Sequence, residues 1–277
     1  MVKPKIVLSY AKQPKILAGH PWVFPKAIEE IIGNPKAGDW VDVLDNKGLK
    51  IGGGFYNPDS LYRVRMISDQ NLSKKFSRWP DIIKARLESA FLLRNTIGLP
   101  NDDTTAFRLC NSESDGLSGL TVDAFNDIIV VASSALWTEL HREEITKILA
   151  ELLPKHKIIW VGQPKPLAQD GCTEPYKDDT EDLVVQVKEG GVIFEINFTN
   201  IQKTGIFIDQ RENHQRIAQM AKNKRVLDLY CYHGGFALHA AASGASKVTA
   251  VDSSKFAINH AKHNAKLNHT PDIEWIV

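Results

Sequence analysis

No apolar run in these 277 residues approaches the roughly 18 needed to cross a bilayer. Residues 1–10 alternate polar and apolar side chains and lack the apolar block of a signal peptide. Cysteine is scarce: Cys110, Cys172 and Cys231 are odd in number and far apart, which excludes both a disulfide framework and a CxxC metal site. The sequence therefore assigns no metal ligand, and the expected compartment is the reducing cytoplasm. There is no low-complexity tract, and the 43% hydrophobic and 24% charged residues are ordinary for a globular chain long enough for two or three domains. Nor is there an excess of one charge, since the net value is +1. The balance is uneven along the chain, however. Residues 1–80 carry 13 Lys+Arg against 7 Asp+Glu, residues 81–190 carry 11 against 19, and residues 191–277 carry 10 against 7. A polyanion would be drawn to the two ends rather than the middle. Chance variation between domains accounts for such a split equally well.

The pattern predicts three regions. Residues 1–70 read as short strands (2–8, 40–44, 50–56 and 62–67) broken by Pro35, Gly38 and Asn57-Pro58, the signature of a small β-barrel. Gly52-Gly53-Gly54 inside a strand pattern predicts a bulge or a close backbone approach. Residues 71–190 read as a middle α/β domain. It has a helix over 79–97 with Ile82, Ile83, Leu87, Phe91 and Leu92 on one face, a second helix over 136–153, and an exposed loop over 163–182. Glu189-Gly190-Gly191 predicts the turn of a hairpin between 184–188 and 192–197. Residues 191–277 end in the most regular stretch: a buried strand over 225–229, a helix over 235–243, a strand over 247–251, a helix over 256–268 and a strand over 273–277. This βαβαβ order is half of a Rossmann-like, doubly wound sheet. Half a sheet leaves an apolar strand unpaired, so the expectation is that the chain is a fragment of a longer protein.

The turn after the strand over 225–229 carries the chemistry. In VLDLYCYHGGF, Gly234 and Gly235 let a ligand approach the backbone, and the following helix offers free N–H groups. Asp252 ends the next strand, 24 positions after Asp228, where a carboxylate can accept from both hydroxyls of a ribose. A nucleoside-containing cofactor is implied. Dinucleotides require G-x-G-x-x-G, but Tyr232 fills the first glycine position and Ala237 the third. S-adenosylmethionine (SAM) has no pyrophosphate to accommodate, and its ammonium group suits Asp228, so SAM fits better than NAD. The bland alternative has Asp228 capping the turn and Asp252 capping the next helix. Upstream, KTGIFIDQRENH reads as a polar loop over the mouth of the sheet, with Asp209 as cap of a helix running to about Ala221. From the residues alone, a plain connecting loop explains it as well.

KTGIFIDQRENH, VLDLYCYHGGF and AVDSS together resemble the PUA-domain-containing class I methyltransferases that modify large-subunit ribosomal RNA at cytosine C5. The resemblance extends over the whole chain: PKILAGHPWVFP at 14–25 is similar to the opening of that family's PUA barrel, and SESDGLSGLTVD at 112–123 to its middle domain. It implies a SAM pocket lined by Lys203, Thr204, Gly205, Asp209, Gln210 and Arg211, and by Asp228, Tyr230, Tyr232, Gly234, Gly235 and Phe236, with Asp252 and Ser253 at the ribose. His233 departs from the family's usual threonine.

Lys12, Lys15, His20, Trp22 and Lys26 are the candidate RNA contacts, since cations bind phosphates and a planar ring can stack on an unpaired base. Phe24 is expected in the barrel core. Methylating cytosine C5 needs a cysteine thiolate to add at C6. In the resembling family that cysteine lies beyond residue 277, so no catalytic residue is assigned here. The expected function is methyl transfer to ribosomal RNA. The alternatives are an RNA-binding fragment without activity and an NAD-dependent oxidoreductase, and a homodimer stays open.

Overall fold

The computed structural model describes residues 3–200, 206–270 and 272–277. Contacts divide the chain into two units: residues 1–97, 109–123 and 127–179 in the first, and residues 98–108, 124–126 and 180–277 in the second. Among the described residues no helix is long and apolar enough to cross a membrane.

The first unit opens with a curled six-stranded sheet in the order β2-β6-β5-β4-β1-β3. Its elements are β1 (Lys5–Leu8), α1 (Gln13–Leu17), β2 (Trp22–Val23), β3 (Ile28–Ile32), β4 (Trp40–Leu44), β5 (Lys50–Tyr56) and β6 (Val64–Asp69). Ile6, Leu8, Val23, Val41, Val43 and Val64 fill its core. The three glycines act as their pattern implied. The β5–β6 register shifts between Gly53 and Gly54, and a Cβ on Gly54 would collide with the Arg65 carbonyl. Phe24 is a correction. It is 40% exposed while Val23 is fully buried, because strand alternation sends neighbouring side chains to opposite faces.

After α2 (Gln70–Lys75) comes α3 (Trp79–Thr96), whose buried face is Ile82, Ile83, Leu87 and Ala90; Leu92, expected inside, is 67% exposed. A four-stranded sheet of order β10-β9-β8-β7 follows, from β7 (Ala106–Asn111), β8 (Leu120–Phe125), β9 (Ile128–Ser133) and β10 (Lys157–Gly162). The single helix expected over 136–153 is two, α4 (Leu136–Leu140) and α5 (Arg142–Leu152), broken at His141, whose ring bonds the Gly38 carbonyl at 2.8 Å. The expected exposed loop after β10 contains α6 (Pro164–Gln169) with Leu167 fully buried. It anchors a buried network. Asp170 takes Arg65 at 3.0 Å and Ser60 at 2.6 Å, while Arg65 also donates to Ser118 at 3.0 Å.

In the second unit, β11 (Val184–Glu189) and β12 (Val192–Asn197) form the expected hairpin, with Gly190 and Gly191 both at positive φ. Next come α7 (Arg211–Ala221), β13 (Arg225–Leu229), α8 (Gly235–Ala242), β14 (Lys247–Val251), α9 (Lys255–Leu267) and β15 (Ile273–Ile276). The three strands run parallel in the order β13-β14-β15. Ala237, Leu238, Ala250, Ile258 and Ala261 pack between sheet and helices. β13 is not the buried strand expected. It lies at the sheet edge, with Leu227 62% and Leu229 56% exposed, Val226 half-buried and Asp228 buried.

Candidate functional site

The site lies at the C-terminal ends of β13 and β14, where a parallel sheet places its ligands. Alternation along β13 buries Asp228 to 8% exposure, and its Oδ2 accepts the Ala237 N–H from the first turn of α8 at 3.1 Å. Burial pushes its carboxyl up to about 6; the nearby Asp252 charge adds to this, while the Ala237 N–H and His214 oppose it. A carboxylate so desolvated favours a cationic ligand group beside it.

The connecting turn bends through left-handed backbone at Tyr230 (φ 62°) and Tyr232 (φ 48°), conformations rare for residues with a Cβ. Asp252, at the end of β14, stabilises the bend. Its Oδ2 accepts the Tyr232 N–H at 2.9 Å and its Oδ1 the Ser254 N–H at 2.8 Å. The cap of α9 is Ser254, which accepts from Ala257 at 3.2 Å, so Asp252 is not the helix cap. His233 stacks on Tyr232 with ring centroids 3.8 Å apart. Burial, with the neighbouring His260, lowers its pKa to about 4, so the ring is neutral at physiological pH.

A cavity of about 110 Å³ adjoins the turn, lined among others by Glu189, Gln210, His214, Tyr232, Gly235 and Phe236. Of the residues the sequence proposed, Gln210, Tyr230, Tyr232, Gly235 and Phe236 reach it, and Asp252 braces its wall. Gly234 is packed so tightly that a Cβ there would sit 2.9 Å from the Trp275 ring. Lys203, Thr204 and Gly205 lie outside the described residues. Asp209 is exposed and does not cap α7, whose N-cap is Gln210, because one turn of 3-10 helix intervenes at Ile208–Gln210. Arg211 pairs with Glu212 at 3.0 Å, and Ser253 is exposed. Sequence reasoning missed Glu189 and His214. They are 25 positions apart and fall in no common motif, and only the fold joins them, at 2.6 Å.

In the first unit, Lys12, Lys15 and Lys26 are exposed. His20 Nδ1 lies 3.0 Å from the Trp22 carbonyl. Trp22 is half-buried, its Nε1 donating to Ser118 at 2.9 Å and its ring 4.5 Å from that of Tyr62. Phe24 is thus the more open ring of the cluster.

No cysteine is poised as a nucleophile. Burial pushes the thiols of Cys110 and Cys231 up to about 12 and raises that of Cys172 as well.

Comparison with known proteins bears on the domains and the family. Residues 6–69 match the model of a PUA-like domain, and residues 168–274 that of an S-adenosylmethionine-dependent methyltransferase. A SAM-dependent methyltransferase structure from Streptococcus mutans superposes with a TM-score of 0.78 at 19% identity, covering 99% of this chain and 70% of that one. A methyltransferase solved with S-adenosylhomocysteine gives 0.80 at 20% identity, covering 99% and 69%. At these identities the likeness concerns the fold. Ribosomal RNA large subunit methyltransferase I of Tolumonas auensis is 33% identical, over 95% of this chain and 66% of its own length. The protein of the same name from Alteromonas mediterranea is 34% identical, over 97% of this chain and 67% of its own. The chain thus spans about two thirds of the length of the curated relatives it matches. With a PUA-like domain, a SAM-dependent methyltransferase domain and relatives of that one name along nearly its whole length, the chain belongs to the ribosomal RNA large subunit methyltransferase I family.

Proposed function

We propose that this chain binds SAM at the β13–α8 turn and serves methyl transfer to large-subunit ribosomal RNA, with cytosine C5 as the acceptor. One observation carries the cofactor assignment: Asp228 and Asp252 bracket a single glycine turn, Asp252 holding the Tyr232 N–H at its start and Asp228 the Ala237 N–H in the helix turn that follows it. The residues suit SAM. The raised carboxyl of Asp228 provides for an ammonium group, and Asp252, with both oxygens at the rim of the bend, provides for ribose hydroxyls. Gly235 brings bare backbone to the cavity wall, and no phosphate-binding glycine stands at Tyr232. When bound, SAM supplies an electrophilic methyl on sulfur. The protein's part is to orient it, exclude water and present the RNA. Lys12, Lys15, Lys26 and the aromatic group around Trp22 are assigned to the RNA, as the names of the relatives and the PUA-like match support. A ribosomal RNA substrate, as the names of the relatives suggest it, supports a cytoplasmic location.

A second reading, binding of RNA and SAM without C5 transfer by this chain, is favoured by the thiols: none of the three supplies the thiolate that addition at C6 requires. Titration calorimetry with SAM and with NAD tests the cofactor, and NAD binding without SAM binding would overturn it. Transfer of labelled methyl to ribosomal RNA separates the two readings.

A further inference from the structure

Glu189 and His214, the last residue of KTGIFIDQRENH, form a buried pair on the α7 side of the cavity. Glu189, the last residue of β11, is 1% exposed, and its Oε1 accepts from His214 Nδ1 at 2.6 Å. A polar group so buried needs a hydrogen-bond partner, and the His214 ring provides one. The contact also fixes the ring. His214 meets the Phe236 ring edge-on at 4.4 Å and lies over His239 at 5.1 Å, while His239 Nε2 bonds the Glu189 carbonyl at 2.9 Å. With Nδ1 committed, Nε2 is the nitrogen left for a ligand. It lies against Gly235, where a Cβ would come within 2.6 Å of it, so only glycine lets the ring reach the N-terminus of α8. His214 and Gly235 both line the cavity, and His214 is near enough to Asp228 to oppose the rise of its carboxyl.

His214 thus faces the small cavity from α7, beside the start of α8, whose Ala237 N–H is held by Asp228 from β13. We propose that His214, oriented by Glu189, binds the α-carboxylate of the cofactor's amino-acid end, while Asp228 takes its ammonium group. Nε2–H donates to the carboxylate alongside the N–H groups at the start of α8. Glu189 is a positioning residue, and His214 a binding residue. This rests on the SAM reading above and adds a subsite to it.

The test is titration calorimetry of this chain with SAM and with decarboxylated SAM, which keeps the nucleoside and sulfonium but lacks the carboxylate. Wild type is expected to prefer SAM by roughly ten- to a hundredfold, the worth of a charged hydrogen bond. His214→Asn is expected to abolish most of that preference while leaving the affinity for the decarboxylated compound near the wild-type value. Glu189→Gln, which keeps the side chain's shape, is expected to reduce the preference in part, and stands in should the asparagine variant fail to fold. Equal affinity of wild type for the two compounds, a preference undiminished in both variants, or parallel weakening of both compounds would each overturn the subsite. Binding of neither compound by folded wild type would instead remove the SAM reading, and the subsite with it.

Discussion

Replacing Asp228 by asparagine separates what the site needs from what the fold needs. Its carboxyl is raised from 3.8 to about 6, chiefly by burial. A raised carboxyl contributes stability that is fully present below the unfolded value and lost as pH rises through the folded one. Between pH 4 and 6 the native state therefore holds the proton more tightly than the unfolded chain. At pH 8 the ionised group weighs against the ligand-free fold. Two units at about 1.4 kcal/mol each give an upper bound of about 3 kcal/mol. Asparagine cannot ionise, and its carbonyl oxygen can still accept the Ala237 N–H that Asp228 holds at 3.1 Å. Asp228→Asn is thus expected to raise the melting temperature at pH 8 by on the order of 5 °C, with little gain at pH 4. The same change removes the anion facing the ammonium of SAM and should weaken binding by roughly ten- to a hundredfold. Scanning fluorimetry across pH 4–8, paired with calorimetry, reads both effects. A variant less stable than wild type at pH 8, with SAM affinity intact, would refute the reasoning.

Asp252→Ala removes the acceptor for both Tyr232 and Ser254; SAM binding should fall below detection while the far-ultraviolet circular dichroism stays near wild type. Asp170→Ala strands the buried guanidinium of Arg65 and should cost about 3–5 kcal/mol in denaturant titration, whereas the Arg65→Met, Asp170→Leu pair should cost less. Phe24→Ala should weaken single-stranded RNA binding by a stacking increment of about 1–3 kcal/mol without lowering the melting point. Trp22→Ala, which loses the bond to Ser118, should destabilise the first unit as well. Equal stability of these two variants would contradict the placement of the rings.

Much of this was legible because it is local. The strands β4 and β5 between their turn residues, the Gly190-Gly191 turn and the βαβαβ run each follow from neighbours in sequence. So does the nearness of Asp252 to the turn, because parallel strands joined by a helix end at the same edge. What escaped depends on distant partners. β2 is two residues long, too short to leave a pattern, and its register on β6 is what turns Phe24 outward. The break at His141 answers to the Gly38 carbonyl about a hundred residues away. β13 looks buried by composition, since Val226, Leu227 and Leu229 read the same whether or not a neighbour covers them. The Glu189–His214 pair is a product of tertiary structure, because neither residue has a local reason to be buried beside the other.

The central claim is that the turn and the two aspartates hold one sulfonium nucleoside, and a crystal structure of this chain grown with S-adenosylhomocysteine tests it most directly. The account predicts ribose hydroxyls on the Asp252 carboxylate and the amino-acid end between Asp228 and Gly235. A nucleoside seated elsewhere, with Asp252 engaged only by Tyr232 and Ser254, would contradict it.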